Sequence, residues 1–115
     1  MNSSGGGFML NPQFKKGVLN LCVLALLEKR DMYGYELVQE ISTKIDISEG
    51  SVYPILRRLT SEGFFTTYMM ESSEGPARKY YQLTEEGKKQ LAAQRSEWYQ
   101  FYKAVNDLIG GGEWK

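Results

Sequence analysis

Apolar residues recur at helical spacing in three consecutive segments of this chain. The first segment predicts a helix from about Pro12 to Lys29, in which apolar positions cover most of the circumference, as expected when other elements enclose a helix. The second predicts a helix from Tyr33 to Thr43. The third predicts a short helix that Ser48 caps and Gly63 ends, with a single narrow apolar stripe.

Strand-like composition follows the third predicted helix. The segments from Phe64 to Met70 and from Lys79 to Leu83 predict a hairpin, because the residues between them, Ser72 to Pro76, are typical of a turn. A last helix is predicted from a cap at Thr84 to about Leu108, with an apolar seam and no partner left in the chain. We therefore expect a homodimer whose interface includes Leu91, Val105, Leu108 and the aromatic residues between them.

This order of elements predicts a mostly α fold with a small β-wing (α+β), namely a winged helix-turn-helix plus a long C-terminal dimerisation helix. The expected divisions are a disordered N-terminal arm at 1–10, a winged helix-turn-helix DNA-binding domain at 11–83, a dimerisation helix at 84–109 and a flexible tail at 110–115.

Two positions leave alternatives open. Pro54 falls in the second turn of the third helix, where it removes a backbone donor and crowds the carbonyl of Gly50. Either the first turn of this helix is loose or the regular helix begins nearer Ser51. Gly34, between two tyrosines, indicates either a close approach between helices or a slack first turn of the second helix.

Composition excludes several classes of enzyme. The 115 residues suit one domain, and they include no histidine and one cysteine, Cys22. The ligand sets of zinc sites are therefore missing, as are Ser–His and Cys–His nucleophiles. Cys22 lies in an apolar run and is expected to be a buried thiol. We expect no enzyme, no cofactor and no metal site.

Charge distribution points to DNA although the formal net charge is zero. A neutral total argues against a nucleic-acid partner, but a local basic face still binds phosphate. The cations of the third helix and the hairpin form such a face, with Lys15 and Lys16 near the start of the first helix. Because the second helix of a helix-turn-helix pair lies in the major groove, the candidate DNA-binding residues are Ser48, Ser51, Tyr53, Arg57, Arg58, Arg78 and Lys79. The expected partner is a double-stranded, pseudo-palindromic operator.

No segment predicts a membrane span or a secretion signal. The longest apolar stretch, Val18 to Leu27, is interrupted by Asn20 and is too short to cross a bilayer. We expect a cytoplasmic protein with no membrane partner.

Several motifs together resemble the PadR-like transcriptional regulators. They are Tyr33-Gly34-Tyr35-Glu36, Ser48-Glu49-Gly50-Ser51-Val52-Tyr53-Pro54 with Leu56, Arg58, Leu59 and Gly63, and Gly75, Arg78, Lys79-Tyr80-Tyr81 and Leu83-Thr84 in the wing. The resemblance spans about Gly17 to Leu108 and implies a winged-helix repressor. It also implies a bent recognition helix at Pro54, since similar proteins carry proline there.

The single C-terminal helix is similar to the compact branch of that family, which includes multidrug-responsive regulators. In that branch a tryptophan at the place of Trp98 faces its symmetry mate across a flat pore. The resemblance therefore implies release from DNA by a small hydrophobic or aromatic effector, with Trp98, Tyr102, Asn20 and Leu24 as candidate ligand-binding residues. Each of these expectations has an alternative that stays open. The alternative for Trp98 is a packing residue that binds no ligand. The alternative for the chain is a winged-helix dimer that serves protein interaction without specific DNA binding.

Overall fold

The computed structural model describes the backbone of residues 12–110 and the side chains of residues 17–110. The expectations for the arm at 1–10, for Lys15 and Lys16, and for residues 111–115 lie outside these ranges. The described elements are, in chain order, α1 (Pro12–Lys29), β1 (Met32–Tyr33), α2 (Gly34–Ser42), α3 (Glu49–Ser61), β2 (Phe65–Ser72), β3 (Gly75–Leu83) and α4 (Glu85–Leu108). This is the mostly helical, winged-helix arrangement that the sequence predicts.

The core draws on every one of these helices and on the sheet. Side chains of α1, α2 and α3 are fully enclosed together, among them Leu24, Leu37 and Leu56. Burying a side chain of this size stabilises the fold by about 1.5–3 kcal/mol. The core also takes in Leu91 of α4, which is 1% exposed. Leu91 therefore packs within its own chain and not at a dimer interface, and Leu24 lies too deep to contact a ligand at the surface.

The sheet is antiparallel, with the strands in the order β1-β3-β2. Strand β1 is a correction to the sequence analysis, which begins the second helix at Tyr33. Tyr33 instead pairs with Tyr80 of β3, and α2 begins one residue later. A two-residue strand has no period of its own, so only the partner strand creates it. Both wing strands are also longer than predicted, since β2 runs to Ser72 and β3 begins at Gly75.

Helix α3 includes Pro54 and begins before it, at Glu49. The regular helix therefore begins two residues before Ser51, and the alternative of a later start is wrong. Ser48 has the extended backbone of an N-cap, but its hydroxyl makes no capping bond and lies 3.3 Å from the Ser51 hydroxyl. The backbone amide of Ser51 donates to the Ser48 carbonyl at 3.0 Å, which holds the first turn.

The end of α3 confirms the predicted role of Gly63. Its φ of 88° lies in the left-handed region that favours glycine. The amide of Phe64 donates to the Leu59 carbonyl at 2.9 Å, and that of Gly63 to the Thr60 carbonyl at 3.0 Å. This pair of bonds is a Schellman motif, which ends the helix and turns the chain into β2.

Thr84 caps α4, as predicted, and also fixes it to the end of α3. Its hydroxyl accepts from the amide of Gly87 at 3.0 Å and donates to the carbonyl of Gly63 at 2.7 Å. A Cβ at Gly87 would overlap the Phe64 carbonyl, so only glycine allows this close approach. The start of α4 is thus rigidly placed on the winged-helix core.

The second half of α4 leaves that core. Leu108 is 87% exposed and Ile109 is 69% exposed, and Tyr99, Phe101 and Tyr102 are each more than half exposed. Among residues 12–110, no helix is long and apolar enough to cross a membrane.

Candidate nucleic-acid interface

A cleft of about 430 Å³ separates the recognition helix α3 from the wing formed by β2 and β3. Tyrosines and cations dominate its walls, which consist of Tyr33, Gly34, Tyr35, Tyr53, Arg57, Arg78, Lys79 and Tyr81. Four of the seven predicted DNA-binding residues therefore meet at one place. This surface also includes Tyr33, Tyr35 and Tyr81, which the sequence did not mark as DNA-binding candidates.

Two of the three cleft cations have no carboxylate partner among the described residues. Arg57 and Lys79 form no ion pair there, whereas Arg78 lies 3.6 Å from Glu74, four residues before it in the wing. The cations of α4 differ, because Lys88 and Lys89 each contact a glutamate of the helix's first turn. The neutral net charge therefore conceals a local excess of positive charge in the cleft.

A stack of aromatic rings positions Arg78 at the edge of the cleft. The guanidinium carbon of Arg78 lies 4.6 Å from the centre of the Tyr33 ring, a cation–π contact. The Tyr33 ring is 5.4 Å from Tyr80, and Tyr80 stacks on Tyr68 at 5.6 Å with an interplanar angle of 13°. Strand periodicity places Arg78 and Tyr80 on one face of β3, a signal that could have identified Tyr80 from the sequence.

Asp31 anchors this stack to the loop between α1 and β1. Its Oδ2 accepts from the Tyr68 hydroxyl at 2.6 Å and from Gln82 Nε2 at 3.3 Å. The hydrogen bond to Asp31 raises the pKa of Tyr68 to about 12, since it stabilises the protonated phenol. Both wing strands are thereby tied to one carboxylate, and nothing local in the sequence marks Asp31 for this role.

Tyr53, a candidate DNA-binding residue, packs against Gly34 and does not project freely into solvent. A Cβ at Gly34 would overlap the Tyr53 ring, with its hydroxyl only 2.8 Å away, so the absence of a side chain lets α2 and α3 approach. Partial burial, and then the charge of Glu49, raise the pKa of Tyr53. The hypothesis of close packing at Gly34 is confirmed, and the edge of the Tyr53 ring lines the cleft.

Arg58 lies apart from the cleft, although it follows Arg57 in the chain. Its Nη2 donates to Oδ1 of Asn20 in α1 at 2.8 Å. Successive helical residues point about 100° apart, which explains why the two arginines reach different partners. Ser48 and Ser51, at the start of α3, also lie outside the cleft wall; Ser48 is exposed and Ser51 half-buried.

A second cleft, between α1 and α4, has a volume of about 470 Å³. Its walls include Asn20 and Trp98 together with Val18, Leu21, Gln94, Glu97 and Phe101. Among the lining residues within the described range 17–110, only Glu97 is charged. Tyr102 stacks on Trp98 with ring centres 6.2 Å apart and belongs to an adjoining hollow of about 140 Å³. Three of the four candidate ligand residues thus lie along one surface, and Leu24 is buried beneath it.

Metal chemistry finds no support in the described part of the chain. No group of three Cys, Asp or Glu residues lies close enough there to hold a metal ion. Cys22 is half-buried, and burial raises the pKa of its thiol.

Comparison with known proteins connects these surfaces to a family. The sequence model of the transcriptional regulator PadR-like family matches residues 23–93. An uncharacterised protein X of Lysinibacillus sphaericus is 31% identical over 109 residues, which cover 91% of this chain and all of the relative. The negative transcriptional regulator PadR of Bacillus subtilis is 32% identical over 78 residues, which cover 64% of this chain and 43% of that protein.

Solved structures give the same result. A crystal structure of a PadR-like transcriptional regulator from Bacillus cereus is similar to this chain with a TM-score of 0.76 and 38% identity. The match covers 88% of this chain and 99% of the other.

Proposed function

We propose that this chain, which belongs to the transcriptional regulator PadR-like family, is a dimeric repressor that binds a specific operator and is released by a small aromatic effector. PadR-like regulators bind DNA and typically form dimers. The cleft between α3 and the wing is the observation that carries the proposal for this chain. Its exposed cations are placed where a helix in the major groove and a wing beside it would meet phosphates.

Six of the seven predicted DNA-binding residues have a proposed DNA contact that follows from their positions, and Arg58, which donates to Asn20, is the exception. Arg57 contacts a guanine or a phosphate in the major groove. The hydroxyls of Ser48 and Ser51, at the start of α3, donate to phosphates of the DNA backbone. Arg78 and Lys79 lie along the DNA backbone or the adjacent minor groove. Tyr53 contributes the edge of its ring, because its position against Gly34 restricts its reach.

Dimerisation is proposed to use the second half of α4 together with α1. Residues Trp98, Phe101, Tyr102, Val105 and Ile109 line one hollow along this helix. When a second copy covers that seam and its neighbours, the dimer can bury more than ~1,000 Å² of solvent-accessible surface, the area that distinguishes a specific interface from an incidental contact. A two-fold dimer then presents two recognition helices to half-sites about one helical turn apart.

The effector is proposed to bind in the α1–α4 cleft, against Trp98. Planar aromatic molecules stack on an indole ring, and a cation gains from both the ring and the nearby carboxylate of Glu97. Such a ligand releases DNA only if it binds more tightly to the dimer geometry that does not fit the operator.

A competition gel-shift tests the proposed function. The probe is the DNA upstream of the protein's own coding sequence, and the competitor is scrambled DNA of the same length and composition. We expect the native sequence to compete at least a hundredfold better, as for specific DNA-binding proteins. Equal competition would instead support the other candidate function, a winged-helix dimer for protein interaction, which the zero net charge favours.

A further inference from the structure

The side chain of Asn20 joins two surfaces that are otherwise separate. It lines the α1–α4 cleft, and its Oδ1 accepts a hydrogen bond of 2.8 Å from Arg58 in α3. Arg58 is the neighbour of Arg57, which lines the cleft beside the wing. One hydrogen bond and one peptide unit therefore separate the wall of the α1–α4 cleft from a cation of the cleft beside the wing.

Resting on the proposed function, we propose that the Asn20–Arg58 hydrogen bond couples the two clefts, and that a cationic aromatic ligand lowers DNA affinity by breaking it. In this role Arg58 is a positioning residue, which holds α3 against α1, and not a DNA contact. The bond spans 38 positions of the chain and joins two helices, so its loss removes a polar link between α3 and α1 at the edge of their shared core.

The chemistry of the amide determines which ligands can act. An asparagine side chain offers one acceptor oxygen and two N–H donors, and Arg58 uses the oxygen. A ligand that only accepts hydrogen bonds can use the free Nδ2 and leave the Arg58 bond intact. A ligand that donates must share Oδ1, which has two lone pairs, and only a cationic donor also repels the guanidinium of Arg58 from that oxygen.

The surroundings of Asn20 favour the second kind of ligand. Glu97, the one charged side chain that residues 17–110 contribute to the cleft wall, attracts a cation, while Trp98 and Phe101 offer aromatic faces. The cleft thus selects for the ligand class that competes with Arg58. An aromatic anion would meet the carboxylate of Glu97 and would leave the Arg58 bond in place.

The first arm of the test needs no DNA. Calorimetry compares naphthamidine, a planar amidinium cation, with naphthoate, which has the same ring and a carboxylate. Because the Arg58→Leu substitution frees Oδ1 and removes a repelling charge, we expect it to strengthen naphthamidine binding about three- to tenfold, the range for one exposed hydrogen bond, and not to strengthen naphthoate binding. Unchanged naphthamidine affinity in Arg58→Leu would overturn the proposal.

The second arm measures operator binding by fluorescence anisotropy, with and without naphthamidine. Asn20→Leu removes the acceptor, so we expect operator affinity to fall by a similar factor and the response to naphthamidine to disappear. Asn20→Asp keeps an acceptor for Arg58 and offers a second oxygen to the ligand, so it should bind DNA and respond weakly. A full response in Asn20→Leu would contradict the proposal.

Glu28→Gln is the matched control. Glu28 accepts from Arg95 at 3.0 Å and so links α1 to α4, but it does not line the α1–α4 cleft. We expect this variant to respond to naphthamidine as the wild type does. If the wild type shows no preference for its operator, the proposed function fails, whereas the calorimetric arm still decides whether Arg58 competes with the ligand for Asn20.

Discussion

The wing and the second half of α4 both project from the same core, but they are completed in different ways. The wing is fixed from within the chain, since Asp31 holds both of its strands and a stack of tyrosine rings supports Arg78. The end of α4 has no such support and exposes aromatic and aliphatic residues, with Leu108 87% exposed.

This difference indicates what each region is for. Arg57 and Lys79 form no ion pair within residues 17–110, and we propose that the cleft beside the wing therefore binds phosphate in a single chain, without an apolar partner. Exposed apolar residues stabilise a structure only when another surface covers them and removes them from water. The comparison therefore predicts that damage to the apolar seam of α4 acts through assembly, whereas loss of a cleft cation acts on DNA binding alone.

The largest expected effect comes from charge on the α4 seam. Val105→Glu should yield monomers at micromolar concentration and weaken operator binding on the order of a hundredfold, because the two half-sites are no longer held together. Analytical ultracentrifugation and anisotropy measure the two effects. Gln100→Glu adds the same charge to the opposite face of α4 and should change neither quantity. A tight-binding Val105→Glu monomer would show that assembly and DNA binding are independent.

The second effect concerns Arg57, the cation of α3 that lines the cleft beside the wing. If Arg57 contacts a base, Arg57→Ala should weaken operator binding by about 1–3 kcal/mol. If it contacts a phosphate, the slope of log binding constant against log salt concentration should become shallower by about one. The dimer and its stability should be unchanged, in contrast to Val105→Glu. Lys88→Ala is the control, since Lys88 already contacts Glu85 and lies on α4. Equal losses in both variants would mean that the cleft has no special role.

A smaller effect tests how the recognition helix is seated. In Gly34→Ala the new methyl group overlaps the Tyr53 ring, and we expect about 1–3 kcal/mol of destabilisation, as for other overpacked sites. Denaturant unfolding measures it. Gly50→Ala is the matched control, because its methyl group meets only the Ser48 hydroxyl at an ordinary 3.7 Å, and alanine there should stabilise α3. Similar stabilities for the two variants would contradict the packing of Tyr53 on Gly34.

The smallest effect concerns the anchor of the wing at high pH. Folding raises the pKa of Tyr68 from 10.0 to about 12, so the folded state holds this proton more tightly than the unfolded chain. The contribution of the Tyr68–Asp31 bond is therefore complete below pH 10 and is lost as the pH rises towards 12. Between pH 10 and pH 12 the free energy of unfolding, measured with denaturant, should fall more in wild type than in Tyr68→Phe. In the control Tyr35→Phe it should fall as much as in wild type. If the free energy of unfolding depends on pH in the same way in wild type and Tyr68→Phe, the Tyr68–Asp31 bond does not anchor the wing.

The sequence predicts most of the fold because its signals are local. The cap at Thr84, the left-handed Gly63 and the bounds of α1 all follow from residue types at fixed offsets. The cleft residues on α3 and the wing follow from the order of elements. Features that depend on tertiary pairing do not follow: β1 exists only beside Tyr80, and Leu91 is buried only because α4 packs on α1 and the sheet.

The division between Arg57 and Arg58 illustrates the same limit. In the sequence they are two adjacent cations on the recognition helix, with the same expected role. The structure separates them, because Asn20 of α1 accepts from Arg58 while Arg57 faces the wing. Asp31 was missed for a similar reason, since its partners Tyr68 and Gln82 lie far along the chain.

The most direct test of the account is a hydroxyl-radical footprint of the wild-type protein on the DNA upstream of its coding sequence, with the mass of the complex measured in parallel. Two chains on one operator, protecting two segments about one helical turn apart, is the predicted result. It would join the cleft and the α4 seam in one assembly. A single protected segment bound by one chain, or uniform protection without sequence preference, would contradict the account.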